Sequence, residues 1–161
     1  MAAAQGHSSH ATGQRASLNR LAASATTHCL TGCAIGEVSG MALATALGWG
    51  NAVQMGLAIV LAYFFGFSLT AMPLVRAGLT AGVVVSTALA ADSLSITIME
   101  AIDNLTVVLI PDAMDAGLGD PLFYGSIALG FAIAYPLAFF ANRYLIARGK
   151  GHAVVHEHHA H

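Results

Sequence analysis

The chain has 161 residues, of which 57% are hydrophobic and only 9% charged, with a mean hydropathy of +0.71 and a formal net charge of −2. Soluble domains carry roughly 25% charged residues, so this composition points to lipid. The small negative charge, with no basic stripe, argues against a nucleic-acid partner.

The chain opens on MAAAQGHSSHATGQ. This stretch is polar and no apolar run follows it directly, so residues 1–20 read as a short soluble tail rather than a signal peptide. Four apolar spans follow, at about 26–47, 53–72, within 77–110, and 122–146. Each has the roughly 20 residues that a helix needs to cross about 30 Å of hydrocarbon. Backbone polar groups must be satisfied inside lipid, which favours helices. The breaks between spans, GWGN, Pro73, Pro111 and Gly119-Asp120-Pro121, are loop chemistry. The expected fold is an all-α, integral-membrane four-helix bundle over residues 21–148.

Span one carries two superimposed ladders. Residues four apart share a helix face, and Cys29, Cys33, Glu37 and Met41 stand at that spacing, drifting by about 40° per step. Beside them run Gly32, Gly36, Gly40, Ala44 and Gly48. Small residues at steps of four let a second membrane helix come close. His28 begins the span and could bend toward Cys29. Thiols at i and i+4 on a regular helix are poorly placed for a disulfide. They could instead share one soft ion, and thiolate and thioether donors favour copper(I) or zinc. The bland alternative is that free Cys serves as a small buried hydrophobe.

In span two, Met72-Pro73 marks an end, and Trp49 before it reads as an interfacial anchor, like Tyr144 in span four. In span three, ALAADSLSITIMEAIDN puts Asp92, Glu100 and Asp103 within an arc of about 80°. An acid at the bilayer centre costs roughly 2.5–3.5 kcal/mol on insertion scales. With Glu37 there are four such acids, and no Lys or Arg lies deep in any span to pair with them. They must be protonated, hydrated or neutralised by a cation. The 77–110 segment is longer than one crossing, so a break or tilt near Asp92–Ser95 is the structural alternative. Matching span centres sets Cys33 level with Asp92, and Met41 level with Glu100. Pro136 is read as a kink in span four; Phe64, Phe65, Phe139 and Phe140 face lipid or neighbouring helices.

Arg15 and Arg20 precede span one, Arg76 follows span two, and Arg143, Arg148 and Lys150 close span four. Four crossings put all of them on one side, opposite Asp112, Asp115 and Asp120. The positive-inside rule then makes both termini cytoplasmic. The C-terminal tail, residues 149–161, holds His152, His156, His158, His159 and His161, and His7 and His10 mirror them at the other end. Such tracts bind zinc, copper or nickel with modest selectivity, or are simply solvated.

The HCLTGCAIGE block with GMALATALGW after it, then PLVRAGLT, ALAADSLSITIMEAIDN, IPDAMDAGL and NRYLIARGKGHAVVH, resembles the bacterial membrane-protein family called domain of unknown function 4396. The similarity runs over about residues 17–156. It implies a small four-helix protein of the bacterial inner membrane and no particular activity. No catalytic set, phosphate loop or haem-attachment motif is visible.

The leading expectation from the residues is a protein that binds, and could move, a soft or transition-metal cation. Its candidate ligands are His28, Cys29, Cys33, Glu37, Met41, Asp92, Glu100 and Asp103, with protons as a second cargo and a homo-oligomer as the working unit. The alternatives are a thiol-redox membrane protein, or a non-catalytic scaffold whose acids make assembly proton-dependent.

Overall fold

The computed structural model describes residues 4–76 and 78–148, with side chains from residue 16 onward except at positions 77, 87 and 91. Among these residues the chain is all-α: α1 (Ala4–Ala46), α2 (Asn51–Arg76), α3 (Ala81–Leu109) and α4 (Pro121–Ala147). The backbone of the polar N-terminal stretch continues α1 from Ala4 rather than standing apart from it. His152, His156, His158, His159, His161 and Lys150 lie outside the described residues, as do the side chains of His7, His10 and Arg15.

Residues 16–46 of α1, together with α2 and α4, are long and apolar enough to cross a membrane. The third helix is bent by 42° between Ala81–Ala90 and Asp92–Leu109, and counts as a fourth such span if the two pieces are one crossing. The bend falls at the edge of the Asp92–Ser95 stretch, where a break or tilt is the structural alternative. At the α2–α3 turn one boundary differs from expectation: helix α2 runs through Pro73 to Arg76. Helix α3 begins at Ala81, inside the expected 77–110 segment, after Gly78 turns the chain with φ 78°. At the head of α4, Asp120 caps the helix by accepting from the Leu122 N–H at 2.8 Å, and Pro121 occupies the first turn, where its missing N–H costs nothing.

Neighbouring helices run antiparallel, so α1 and α3 are parallel. The closest pairing is α1 with α2, and it follows from the glycine ladder. A Cβ added at Gly32 would lie 2.6 Å from the Gly66 Cα, and one at Gly40 would lie 2.6 Å from the Ala58 Cα. One at Gly36 would overlap the Ala62 backbone. The facing residues on α2, Ala58, Ala62 and Gly66, are also small and four apart, so the two backbones meet directly. The ladder therefore makes an internal helix contact, and it is not available to hold a second copy of the chain.

Large apolar side chains cover the outside, among them Val60 and Phe64 on α2, Leu94 and Leu105 on α3, and Leu137 and Phe140 on α4. Phe65 and Phe139 are half-buried. Arg20, Arg76, Arg143 and Arg148 gather at one end of the helices by this topology, and Asp112, Asp115 and Asp120 at the other. At the basic end the Arg143 Nε donates to Asn19 Oδ1 at 2.7 Å, fixing α4 against α1. The Arg148 guanidinium sits 4.3 Å from the centre of the Tyr144 ring.

Candidate functional site: a polar seam between α1 and α3

The second face of α1 meets α3, and there the sulfur and oxygen groups of both helices oppose one another in sequence. Cys29 Sγ donates to Asp92 Oδ1 at 3.6 Å. One turn on, the Cys33 thiol faces the Glu100 carboxyl. One turn further, the carboxyls of Glu37 and Asp103 face each other. All six side chains are buried, Asp92 completely. The stripes meet as the two periodicities imply, but displaced from the register obtained by matching span centres, by about one turn of α1 at Asp92 and two at Glu100. Cys33 pairs with Glu100 rather than Asp92, and Met41 lies beyond Asp103 instead of beside Glu100.

Each end of the seam has its own surroundings. Toward the basic end, the Thr70 hydroxyl of α2 reaches Asp92 and the Ser95 hydroxyl reaches Cys29. The Asn142 amide of α4 donates to Thr26 Oγ1 at 2.9 Å and to Ser95 Oγ at 3.1 Å. Thr26, Ser95 and Asn142 thus join α1, α3 and α4 through one buried polar knot. Sequence reasoning passed over Asn142 and Thr70. The available signal was an amide in the middle of an apolar span, which is costly unless paired.

Toward the acidic end, a cavity of about 60 Å³ is lined by Glu37, Asp103, Met41, Gln54, Met55 and Met114, among others. The Asp103 carboxyl fits against α4 only because residue 130 is glycine; a methyl there would overlap it. Neither oxygen of Glu37 has a hydrogen-bond partner, nor does Asp103 Oδ1 or Glu100 Oε1. Asn104 donates to Glu100 Oε2 at 3.4 Å. The Asn51 amide donates to Asp115 Oδ1 at 2.8 Å, tying the start of α2 to the loop that carries Met114.

His28 does not join this set. Its ring hydrogen-bonds the Leu69 backbone on α2. Pro73 has no N–H to give the carbonyl four residues before it, so Leu69 would lack its helical donor; His28 supplies one. Nor do the thiols and carboxyls form one basin. Among the described residues no three His, Cys, Asp or Glu side chains converge where a single ion could sit. The expected ligand set is therefore dispersed along the helix axis in pairs. Both cysteines are free and buried, and each turns to a carboxyl.

The energetics make this seam an expensive feature. An acid costs roughly 2.5–3.5 kcal/mol at the bilayer centre on insertion scales, whereas interhelical hydrogen bonds contribute about 0.6 kcal/mol apiece on average. Packing stability does not account for it.

Apolar helices of crossing length define a membrane protein, and a seam of acids and thiols is buried between two of its helices. Residues 18–151 match the family described as Domain of unknown function (DUF4396), and the chain belongs to that family. No curated protein and no solved structure matches the chain.

Proposed function

We propose that the chain is a four-span protein of the inner (cytoplasmic) membrane, with both termini inside, that passes protons along the seam between α1 and α3. The observation that carries this reading is the succession of opposed pairs: Glu37 with Asp103, Cys33 with Glu100, Cys29 with Asp92. Each pair sits one turn of α1 from the next, and the cavity opens against the first. A carboxyl can accept a proton on one oxygen and release another from its partner oxygen, so a line of neutral acids conducts without any fixed charge in the apolar layer. On α3 the rise from Glu100 to Asp92 is about 12 Å, too far for a direct hop. The thiols of Cys33 and Cys29 stand in that gap and supply weak donors and acceptors. Unpaired oxygens on Glu37, Asp103 and Glu100 give hydrogen-bonding capacity that helix packing leaves unused.

The test is proton flux into proteoliposomes driven by a potassium–valinomycin potential and read with an entrapped pH dye. Wild type acidifies the lumen faster than empty vesicles; Glu37→Gln and Asp103→Asn each lower the protein-dependent rate at least tenfold. Equal rates for wild type and both variants would end the reading. A proton-sensitive scaffold would show no flux at all, with an oligomeric state that shifts on Glu37→Gln.

A further inference from the structure

Six methionines occur in the chain. Met41, Met55 and Met114, which come from α1, α2 and the α3–α4 loop, line the one cavity that also holds the Glu37 and Asp103 carboxyls. We propose that this cavity is a copper(I) site, with the three thioethers as its soft donors and the Glu37–Asp103 pair supplying a single negative charge. The inference rests on the proton-path reading, because Glu37 and Asp103 serve both.

Three observations support it. Thioether sulfur is neutral and soft, and it selects copper(I) over zinc or harder ions. The Met41 side chain packs with Ala116 and Phe123 beside the cavity, and its Sδ already acts as a lone-pair donor there, accepting from Gln54 Nε2 at 2.6 Å and from the Thr45 hydroxyl at 3.7 Å. Glu37 is 6% exposed and Asp103 2% exposed, and three of their four oxygens have no hydrogen-bond partner beside a cavity of about 60 Å³. A space of that size holds an ion together with some of its water.

The charge selects valence as well. A monovalent ion with one carboxylate leaves the cavity neutral, whereas a divalent ion needs both acids ionised against each other in an apolar setting. Copper enters as copper(I) and stays copper(I); the only bond broken is one carboxyl O–H, and its proton leaves by the seam or to the bulk. Uptake of one copper thus releases one proton, which couples the ion to the path.

The test uses the purified full-length chain in mild detergent with tetrakis(acetonitrile)copper(I) under argon. Affinity is read by competition with bicinchoninate, and donor type by X-ray absorption at the copper edge. One copper bound through sulfur is expected, with one proton released. Met55→Leu/Met114→Leu, a volume-conserving change, weakens it at least tenfold, Met114→Leu alone weakens it less, and Cys29→Ser/Cys33→Ser leaves it unchanged. No tight copper in wild type, undiminished affinity in the methionine variants, loss only in the cysteine variant, or nitrogen donors alone from the histidine tails would each overturn the assignment. Proton flux separates this inference from the one beneath it. A methionine variant that conducts like wild type, with copper binding that never depended on methionine, sinks the copper site and spares the path. Copper bound by methionine in a chain that moves no protons does the reverse.

Discussion

One helix, α1, presents two faces a third of a turn apart, and they work by opposite rules. Toward α2 it offers Gly32, Gly36 and Gly40 to small residues, and the fit is backbone against backbone. Toward α3 it offers Cys29, Cys33 and Glu37 to Asp92, Glu100 and Asp103, with carboxyl oxygens left unpaired. The first face is shaped to hold the fold, and the second is built at the expense of stability. Substitutions on the two faces should therefore move stability in opposite directions.

The largest effect is expected at Gly36. Its added Cβ would overlap the Ala62 backbone, which cannot move without separating α1 from α2. Gly36→Leu should cost more than the roughly 1–3 kcal/mol typical of overpacking, and no monodisperse protein should be recovered in mild detergent. Gly56 on α2 faces open space, so Gly56→Ala should be neutral or gain up to about 1 kcal/mol from helix propensity. Equal tolerance at both glycines would mean that the α1–α2 contact is not what holds the helices.

Next in size is Glu37→Leu. It removes a buried acid whose oxygens have no hydrogen-bond donor, so the chain should become more stable in detergent-titration unfolding, by up to the roughly 2.5–3.5 kcal/mol that an acid costs at the bilayer centre on insertion scales. The same variant should lose its proton flux. A drop in stability would show that Glu37 is a packing residue and would erase the contrast between the two faces.

The knot at the basic end is intermediate, because there the Asn142 amide is hydrogen-bonded to both of its neighbours. Asn142→Leu removes donors to Thr26 and Ser95 and should destabilise by about 0.6–1.7 kcal/mol, the range found for interhelical hydrogen bonds in lipid. A stabilising result would place Asn142 with the acids of the seam instead.

How far these faces were legible in sequence depends on whether the signal was local. Steps of four on span one disclose both ladders, since periodicity alone assigns residues to a helix face. The arc formed by Asp92, Glu100 and Asp103 is legible for the same reason. The register between α1 and α3 was not, because span centres set depth only to within a turn or two, and α3, bent by 42° between Ala90 and Asp92, has no single straight span to centre. The convergence of Met55 and Met114 with Met41 was also hidden. Residue 55 lies on a different helix, residue 114 on a loop, and no spacing rule links them. How the thiols, acids and His28 are shared out among the helices was hidden too, because neighbours in sequence can point to different helices: Cys29 turns to α3, and His28 turns to α2.

That divergence yields the smallest prediction and the one that depends most on geometry. If His28 is present to give the Leu69 carbonyl the donor that Pro73 withholds, the two substitutions must be coupled. His28→Ala alone leaves a carbonyl unpaired inside the membrane and should cost about 0.5–1.5 kcal/mol, the net contribution of one hydrogen bond. Pro73→Ala restores an N–H four residues after Leu69, so in that background His28→Ala should cost close to nothing. A double-mutant cycle on unfolding free energy measures the difference directly. Additive effects would separate the histidine from the proline and return His28 to the candidates for the seam. Coupling near 1 kcal/mol would assign the first polar residue of the HCLTGCAIGE block to holding the fold, leaving the chemistry to the side chains that follow it.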